Sequence, residues 1–201
     1  MLGELAGEAA HELRNALAVI GASATLLRAA EGSQREAHIA KIERNARVAQ
    51  GVIDALMAIA RGESIRGEPV ALATAISEAR RDVATATWAD DVAPDLAVRG
   101  NEVLLSRMFR VLYENAIQAG AARVETRATR SGDVVTVDVI DDGSGVPEDV
   151  RATLFDPLVT TKKEGTGLGL ALVRRVARAH GGDASLVPSK TGAHFRVSLR
   201  A

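Results

Sequence analysis

Between Leu2 and Arg61 the chain carries no proline, and its apolar residues recur at steps of three and four. Leu2, Ala6, Ala9, Leu13, Ala16 or Leu17, Ile20, Ala24 and Leu27 draw one stripe along a helix. Ile39, Ile42, Ala46, Ala49, Ile53, Leu56 and Ile59 draw a second. Gly32-Ser33-Gln34 breaks the run between them, and Ser33 followed three residues later by Glu36 predicts a capping box for the second helix. Each helix, roughly 27 residues and about 40 Å long, has one apolar face and little third element to cover it. A symmetric homodimer closing a four-helix bundle is the economical solution; the alternative is a monomeric hairpin docked on the rest of the chain.

The pattern changes near residue 62. RGESIRGEP at 61–69 clusters Gly, Ser and Pro and reads as a linker. Beyond it the spacing predicts a helix in 71–84, a short strand within 91–99 and a strong helix over 101–119 ended by Gly120. Strands at 122–130 and 134–141 flank the hairpin signal Ser131-Gly132-Asp133. A helix over about 168–179, a short strand at 183–187 and a closing strand at 193–199 complete the chain. The expected organisation is multidomain: a two-helix hairpin over 1–62, a linker at 63–69, and an α/β sandwich (α+β) over 70–201 with helices on one face of its sheet.

Apolar residues make up 47% of the chain and charged ones 25%, so a disordered chain is excluded. With three Phe, one Trp and one Tyr, the core must be built from aliphatic side chains. A net charge of −1 makes nucleic acid a poor partner, so none is expected. The lack of Cys excludes disulfides, a thiolate nucleophile and Cys-ligated metal. No apolar run is long enough to cross a bilayer, and the start lacks a basic region followed by an apolar one; the chain reads as cytoplasmic.

The chemistry lies in two glycine clusters. Asp141-Asp142-Gly143-Ser144-Gly145 follows an apolar strand, and Gly165-Thr166-Gly167-Leu168-Gly169 opens an apolar helix. Glycines at such junctions let backbone N–H groups approach a ligand, and a helix N-terminus favours phosphate. Neither a Walker A ending nor a βαβ context is present. The two clusters, with an Asn in the preceding helix, suggest a nucleotide cradle.

These motifs resemble the catalytic core of a bacterial sensor histidine kinase, whose ATP-binding half is similar to that of DNA gyrase, Hsp90 and MutL-type proteins. The likeness spans nearly all 201 residues. His11-Glu12-Leu13-Arg14-Asn15 resembles the phosphoacceptor box, Glu114-Asn115-Ala116 the end of the Asn box, and Asp141 to Gly145 the first glycine box. Leu154-Phe155-Asp156-Pro157-Leu158 with Thr160-Thr161-Lys162 resembles the Phe box and lid, and Gly165 to Leu170 the second glycine box.

The resemblance implies ATP-dependent autophosphorylation on His11 and phosphotransfer to an aspartate of a response-regulator receiver domain. His11, between the stripe positions Ala9 and Leu13, is expected to face water; its neutral nitrogen attacks while Glu12 holds or removes the proton on the other. Asn15, one turn on, resembles the phosphatase residue that orients water at a partner's phospho-aspartate. Asp141 is expected to read the adenine amine, Asn115 to hold Mg²⁺ beside the ATP phosphates, and Gly143, Gly145, Gly165, Thr166, Gly167, Leu168 and Gly169 to shape the site. Thr160 and Lys162 stand on the lid, where Lys162 and its neighbour Lys163 contact phosphate or are simply solvated. Phe155 is expected to pack the lid.

Two positions depart from the family pattern. Val111 stands where many members carry a second Asn, and Gln118 where a basic residue often reaches phosphate. The alternative is therefore a phosphotransfer and phosphatase adaptor with a degenerate ATP site, or a structural dimer whose nucleotide is a folding ligand. Ten residues precede His11, so input is expected from an upstream sensor domain or a sensor partner.

Overall fold

The computed structural model describes residues 2–60, 68–81, 83, 86–157, 159–162 and 167–201. The chain divides into two compact units, Met1–Arg61 and Gly62–Ala201.

The first unit is a hairpin of α1 (Leu2–Leu27) and α2 (Gly32–Ala60). The break falls at residues 28–31, slightly ahead of the expected stretch, where the Arg28 and Ala29 N–H groups bond back to the Thr25 and Leu26 carbonyls. Ser33 lies inside α2, not at its cap, because the helix already starts at Gly32. Small side chains meet between the helices: Ala16, Ser23 and Ala49 are buried. Of the two candidates Ala16 and Leu17, Ala16 turns inward, and Ser23 takes the inner place expected of Ala24. The bulkier Leu17, Leu26, Ile39 and Ile53 stay exposed, so the hairpin carries apolar surface beyond its internal seam.

In the second unit β1 (Glu68–Ala71) pairs antiparallel with β3 (Ala97–Gly100) in a two-stranded ribbon. The main sheet has five strands in the order β2 (Thr87–Asp91), β4 (Arg123–Ser131), β5 (Val134–Asp141), β7 (His194–Arg200) and β6 (Ala184–Leu186). The β2–β4 pair is parallel and the others antiparallel. Alternate residues Val135, Val137, Val139 and Asp141 of β5, with Phe195, Val197 and Leu199 of β7, are buried. That period of two marks one covered face, met by the apolar sides of α3 (Leu72–Arg80), α4 (Glu102–Gln118) and α5 (Gly169–Ala179). The opposite face is polar: Asp138 takes bonds from His194 and Arg196 across the β5–β7 ladder.

Strands β1 and β2 do not follow from pattern. β1 lies partly in the stretch read as a linker, and β2 ends at Asp91, with the strand expected over 91–99 confined to Ala97–Gly100. Tertiary contacts fix β2 instead. The Arg80 guanidinium lies 4.7 Å from the Trp88 ring and 4.9 Å from the Tyr113 ring, bonds Asp90 through both terminal nitrogens at 2.5 Å, and reaches the Thr126 hydroxyl at 3.0 Å. One side chain thus ties α3, β2, α4 and β4 together.

His180, just past α5, makes a second tie. Its Nδ1 is 2.7 Å from the Val176 carbonyl, and its Nε2 accepts the Asn101 N–H at 3.1 Å. A carbonyl only accepts and an N–H only donates, so the ring is neutral with its proton on Nδ1. Asn101 also caps α4, its side chain accepting the Leu104 N–H at 3.1 Å, so His180 fixes the start of the helix that carries Asn115.

Candidate functional site

The polar end of α4, the loop after β5, the 159–162 segment and the start of α5 carry the second unit's candidate residues. Asp141 is the last residue of β5 and only 5% exposed. Its Oδ1 accepts the Gly143 N–H at 2.9 Å and the Ala193 N–H at 3.1 Å. Both bonds fall on the same oxygen, so the carboxylate is held in one orientation with its other oxygen left as an acceptor. Gly192 makes this geometry possible. It has φ of +62°, and a Cβ there would stand 1.9 Å from the Asp141 carbonyl oxygen.

Asp142, adjacent in sequence, has a different task. Its Oδ1 accepts the Ala122 and Arg123 N–H groups at 2.8 and 2.9 Å, which anchors the segment after α4 to the loop after β5. Those backbone bonds, led by that from Arg123, hold its pKa below the ordinary carboxylate value. The Ser144 N–H bonds the Ala119 carbonyl at the end of α4, and Gly145 lies against Gly192 of the loop before β7.

Asn115 and Gln118 are three residues apart on α4 and so share a face. Both accept from the Lys162 ammonium, Asn115 Oδ1 at 2.7 Å and Gln118 Oε1 at 2.6 Å. Lost water around the ammonium holds its pKa below the ordinary lysine value, while the nearby Glu114 carboxylate works in the other direction. The Lys162 N–H bonds the Thr160 hydroxyl at 3.1 Å, so Thr160 shapes the segment that delivers the lysine. Gly167 has φ of +66° and leads through Leu168 into α5 at Gly169. Val111 packs against this start: a Cβ on Gly169 would lie 3.0 Å from its Cγ1. Val111 is therefore a spacer between α4 and α5.

Phe155 stacks edge-on against Phe195 at 6.3 Å, with the Arg174 guanidinium 5.4 Å from its ring. Gly165, Thr166 and Lys163 lie outside the described residues. In the first unit His11 and Glu12 lie on α1 with their side chains outside the description, and Asn15, one turn on, is exposed.

Two contributors escaped the sequence reading. Ala193 supplies one of the two N–H groups that orient Asp141, for which the only signal was the Gly192-Ala193 pair before the closing strand. Gln118, read as a missing cation, is an acceptor that receives one from elsewhere in the chain. For a metal, the fitting observation is that the hard amide oxygens of Asn115 and Gln118 already converge on one cationic head.

Residues 100–201 match the family model for histidine kinase-, DNA gyrase B-, and HSP90-like ATPases, and residues 1–65 match the model for the His Kinase A (phospho-acceptor) domain. Sensor histidine kinase ZraS of Escherichia coli O157:H7 is 31% identical over 212 residues, covering 98% of this chain and 46% of that protein. Sensory histidine kinase/phosphatase NtrB of Azospirillum brasilense is 36% identical over 111 residues, covering 55% of this chain and 25% of that protein. Less than half of either relative's length is spanned. Among solved structures, Acinetobacter baumannii histidine kinase AdeS superposes with a TM-score of 0.74 over 94% of this chain and 97% of that one at 15% identity, a likeness of fold.

Proposed function

Because the chain belongs to the bacterial sensor histidine kinases, as a catalytic core with phosphoacceptor and ATP-binding modules, we propose that it phosphorylates itself on His11 from ATP and passes the phosphoryl group to an aspartate of a response-regulator receiver domain. The observation that carries this reading is the presence of both family modules in one chain, with His11 on the first helix of one and Asp141 oriented at the sheet end of the other.

On this reading Asp141 accepts from the adenine amine through the oxygen not held by Gly143 and Ala193, which selects adenine over a base carrying a carbonyl there. Gly143, Gly145, Gly167, Leu168 and Gly169, with Gly165 and Thr166, bring backbone N–H groups and the α5 N-terminus to the phosphates. Thr160 holds the segment that presents Lys162 to them. Asn115 Oδ1 would hold Mg²⁺, which when bound would supply charge neutralisation on the transferred group. The neutral His11 nitrogen attacks the γ-phosphorus, an N–P bond forms as the bond to the β-phosphate oxygen breaks, and ADP leaves. Glu12 holds the proton on the ring's other nitrogen, and Asn15 orients a water for hydrolysis at a phosphorylated partner. Residues 1–62 form the homodimeric phosphoacceptor unit, 63–69 the connection and 70–201 the ATP-binding unit. An upstream sensor domain or sensor partner provides input, and the core works in the cytoplasm.

The test is exposure to γ-labelled ATP with Mg²⁺ and, separately, to a phosphorylated receiver domain. Acid-labile, base-stable phosphate on the wild type, absent from a His11→Gln protein that still binds ADP, is the expected result. Phosphate by neither route, or undiminished label in His11→Gln, overturns the assignment. The adaptor alternative rests on Val111 and predicts phosphate by the second route only.

A further inference from the structure

The lysine seat on α4 has a consequence beyond nucleotide binding as such. Two amide oxygens three residues apart on one helix face converge on a single ammonium at 2.7 and 2.6 Å. One of them, Asn115 Oδ1, is the oxygen assigned above to a divalent cation; the other, Gln118 Oε1, has no such role. An ammonium and a divalent ion held on one amide oxygen would repel each other at close range, so the two cations compete at Asn115 but not at Gln118.

We propose that Asn115 and Gln118 form a two-point seat for Lys162, in which Asn115 surrenders the ammonium to a divalent cation while Gln118 retains it beside the phosphates. Gln118 is thus a positioning residue. A basic residue at position 118 would repel Lys162; the neutral amide instead lets the 159–162 segment deliver the positive charge to that place on α4. Val111, packed against the start of α5, offers no polar atom to take over when Asn115 changes partner, so of the two amides that hold the ammonium Gln118 is the one left to keep the lysine in reach. This inference rests on the nucleotide site proposed above.

The two halves of the seat make opposite predictions. Calorimetry compares ADP binding with Mg²⁺ and in EDTA for the wild type, Lys162→Met and Gln118→Met. Without Mg²⁺ the ammonium is the main cation facing the phosphates, so Lys162→Met should weaken ADP about tenfold in EDTA, a charge-assisted bond's worth. With Mg²⁺ the loss should shrink to a few-fold, so the gain from Mg²⁺ grows. Gln118→Met should leave binding in EDTA nearly unchanged, because Asn115 still holds the lysine, yet weaken binding with Mg²⁺ by up to the few-fold that Lys162→Met loses there, so the gain from Mg²⁺ shrinks. Gln118→Glu, which keeps an acceptor for the ammonium, should retain more of the wild-type Mg²⁺ gain than Gln118→Met.

Loss of folding or of general site shape lowers both conditions together and cannot produce opposite changes in the Mg²⁺ gain. The same direction of change in both variants, or a Mg²⁺ gain unaltered in Lys162→Met, overturns the seat. If Asp141→Asn still weakens ADP in that case, the nucleotide site stands and only the seat fails. A wild type that binds no ADP in either condition overturns both.

Discussion

Replacing Asp141 by Asn tests the adenine assignment with almost no change in volume. In the wild type Oδ1 receives two backbone N–H groups, from Gly143 and Ala193. An Asn carbonyl oxygen can take that place and keep both bonds, which puts the amide NH₂ where the second carboxylate oxygen was. An acceptor facing the adenine amine becomes a donor facing a donor. One buried hydrogen bond is lost and two donors are left unpaired, a cost of about 1–3 kcal/mol, or roughly 5- to 150-fold in affinity. Guanine carries a carbonyl at the same ring position, so GDP should gain relative to ADP in the variant. Calorimetry with ADP and GDP measures both, and the thermal midpoint of the Asn variant should stay close to wild type. Asp141→Ala is the contrasting control: it strands the Gly143 and Ala193 N–H groups, so stability should fall along with affinity. A folded Asp141→Asn protein with unchanged ADP affinity and unchanged base preference would remove the residue from the site and refute the reasoning.

Three other outcomes are open to measurement. Burial holds the His180 pKa below the ordinary imidazole value, with the Val176 carbonyl opposing. The unfolded chain therefore binds the proton more readily, and the stability from neutral His180 is present above about pH 6.5 and lost as pH falls below it toward the depressed folded value. Thermal midpoints should drop from about pH 7.5 to about 5.5, less so in His180→Gln; an equal drop in that variant refutes the assignment. Asp183 does not blur this window. Burial opposes its charge, but bonds from Arg174, the Ala184 N–H and Arg178 carry its pKa to about 2, so its contribution is lost only at far lower pH. Gly192→Ala should cost more than about 2 kcal/mol, because its φ is positive and its Cβ would meet the Asp141 backbone; a melting point within about 2 °C of wild type would contradict this. Light scattering at tens of micromolar should give about twice the 21.0 kDa chain mass, since Leu17 and Leu26, each 57% exposed, need a partner; a clean monomer refutes the bundle.

Much of the architecture was legible because it is periodic. The steps of three and four in residues 2–60 and the alternation in Val134–Asp141 are local consequences of helix and strand geometry, and all three elements form there, with only the break between the helices displaced by a few residues. The glycine clusters were legible for a related reason: a chain needs glycine where backbone must come close. Strands β1 and β2 were not, since Glu68-Pro69-Val70-Ala71 and Thr87 to Asp91 have no alternation strong enough to stand alone; pairing with β3 and β4 and the Arg80 cluster make them strands.

The candidate site divides the same way. Residue types and order alone assigned the chain to its family and singled out His11, Asn115 and Asp141, because each chemical role demands a particular functional group. Only the tertiary structure decided which groups meet. It gave Asp141 its orientation through Ala193, 52 residues away, separated Asp142 from it as a backbone anchor, and turned Gln118 from a missing cation into the partner of Lys162, 44 residues on. Such pairings depend on distances set by chain crossing in the folded sheet and helices, and a linear order of residues carries the functional groups but not those distances.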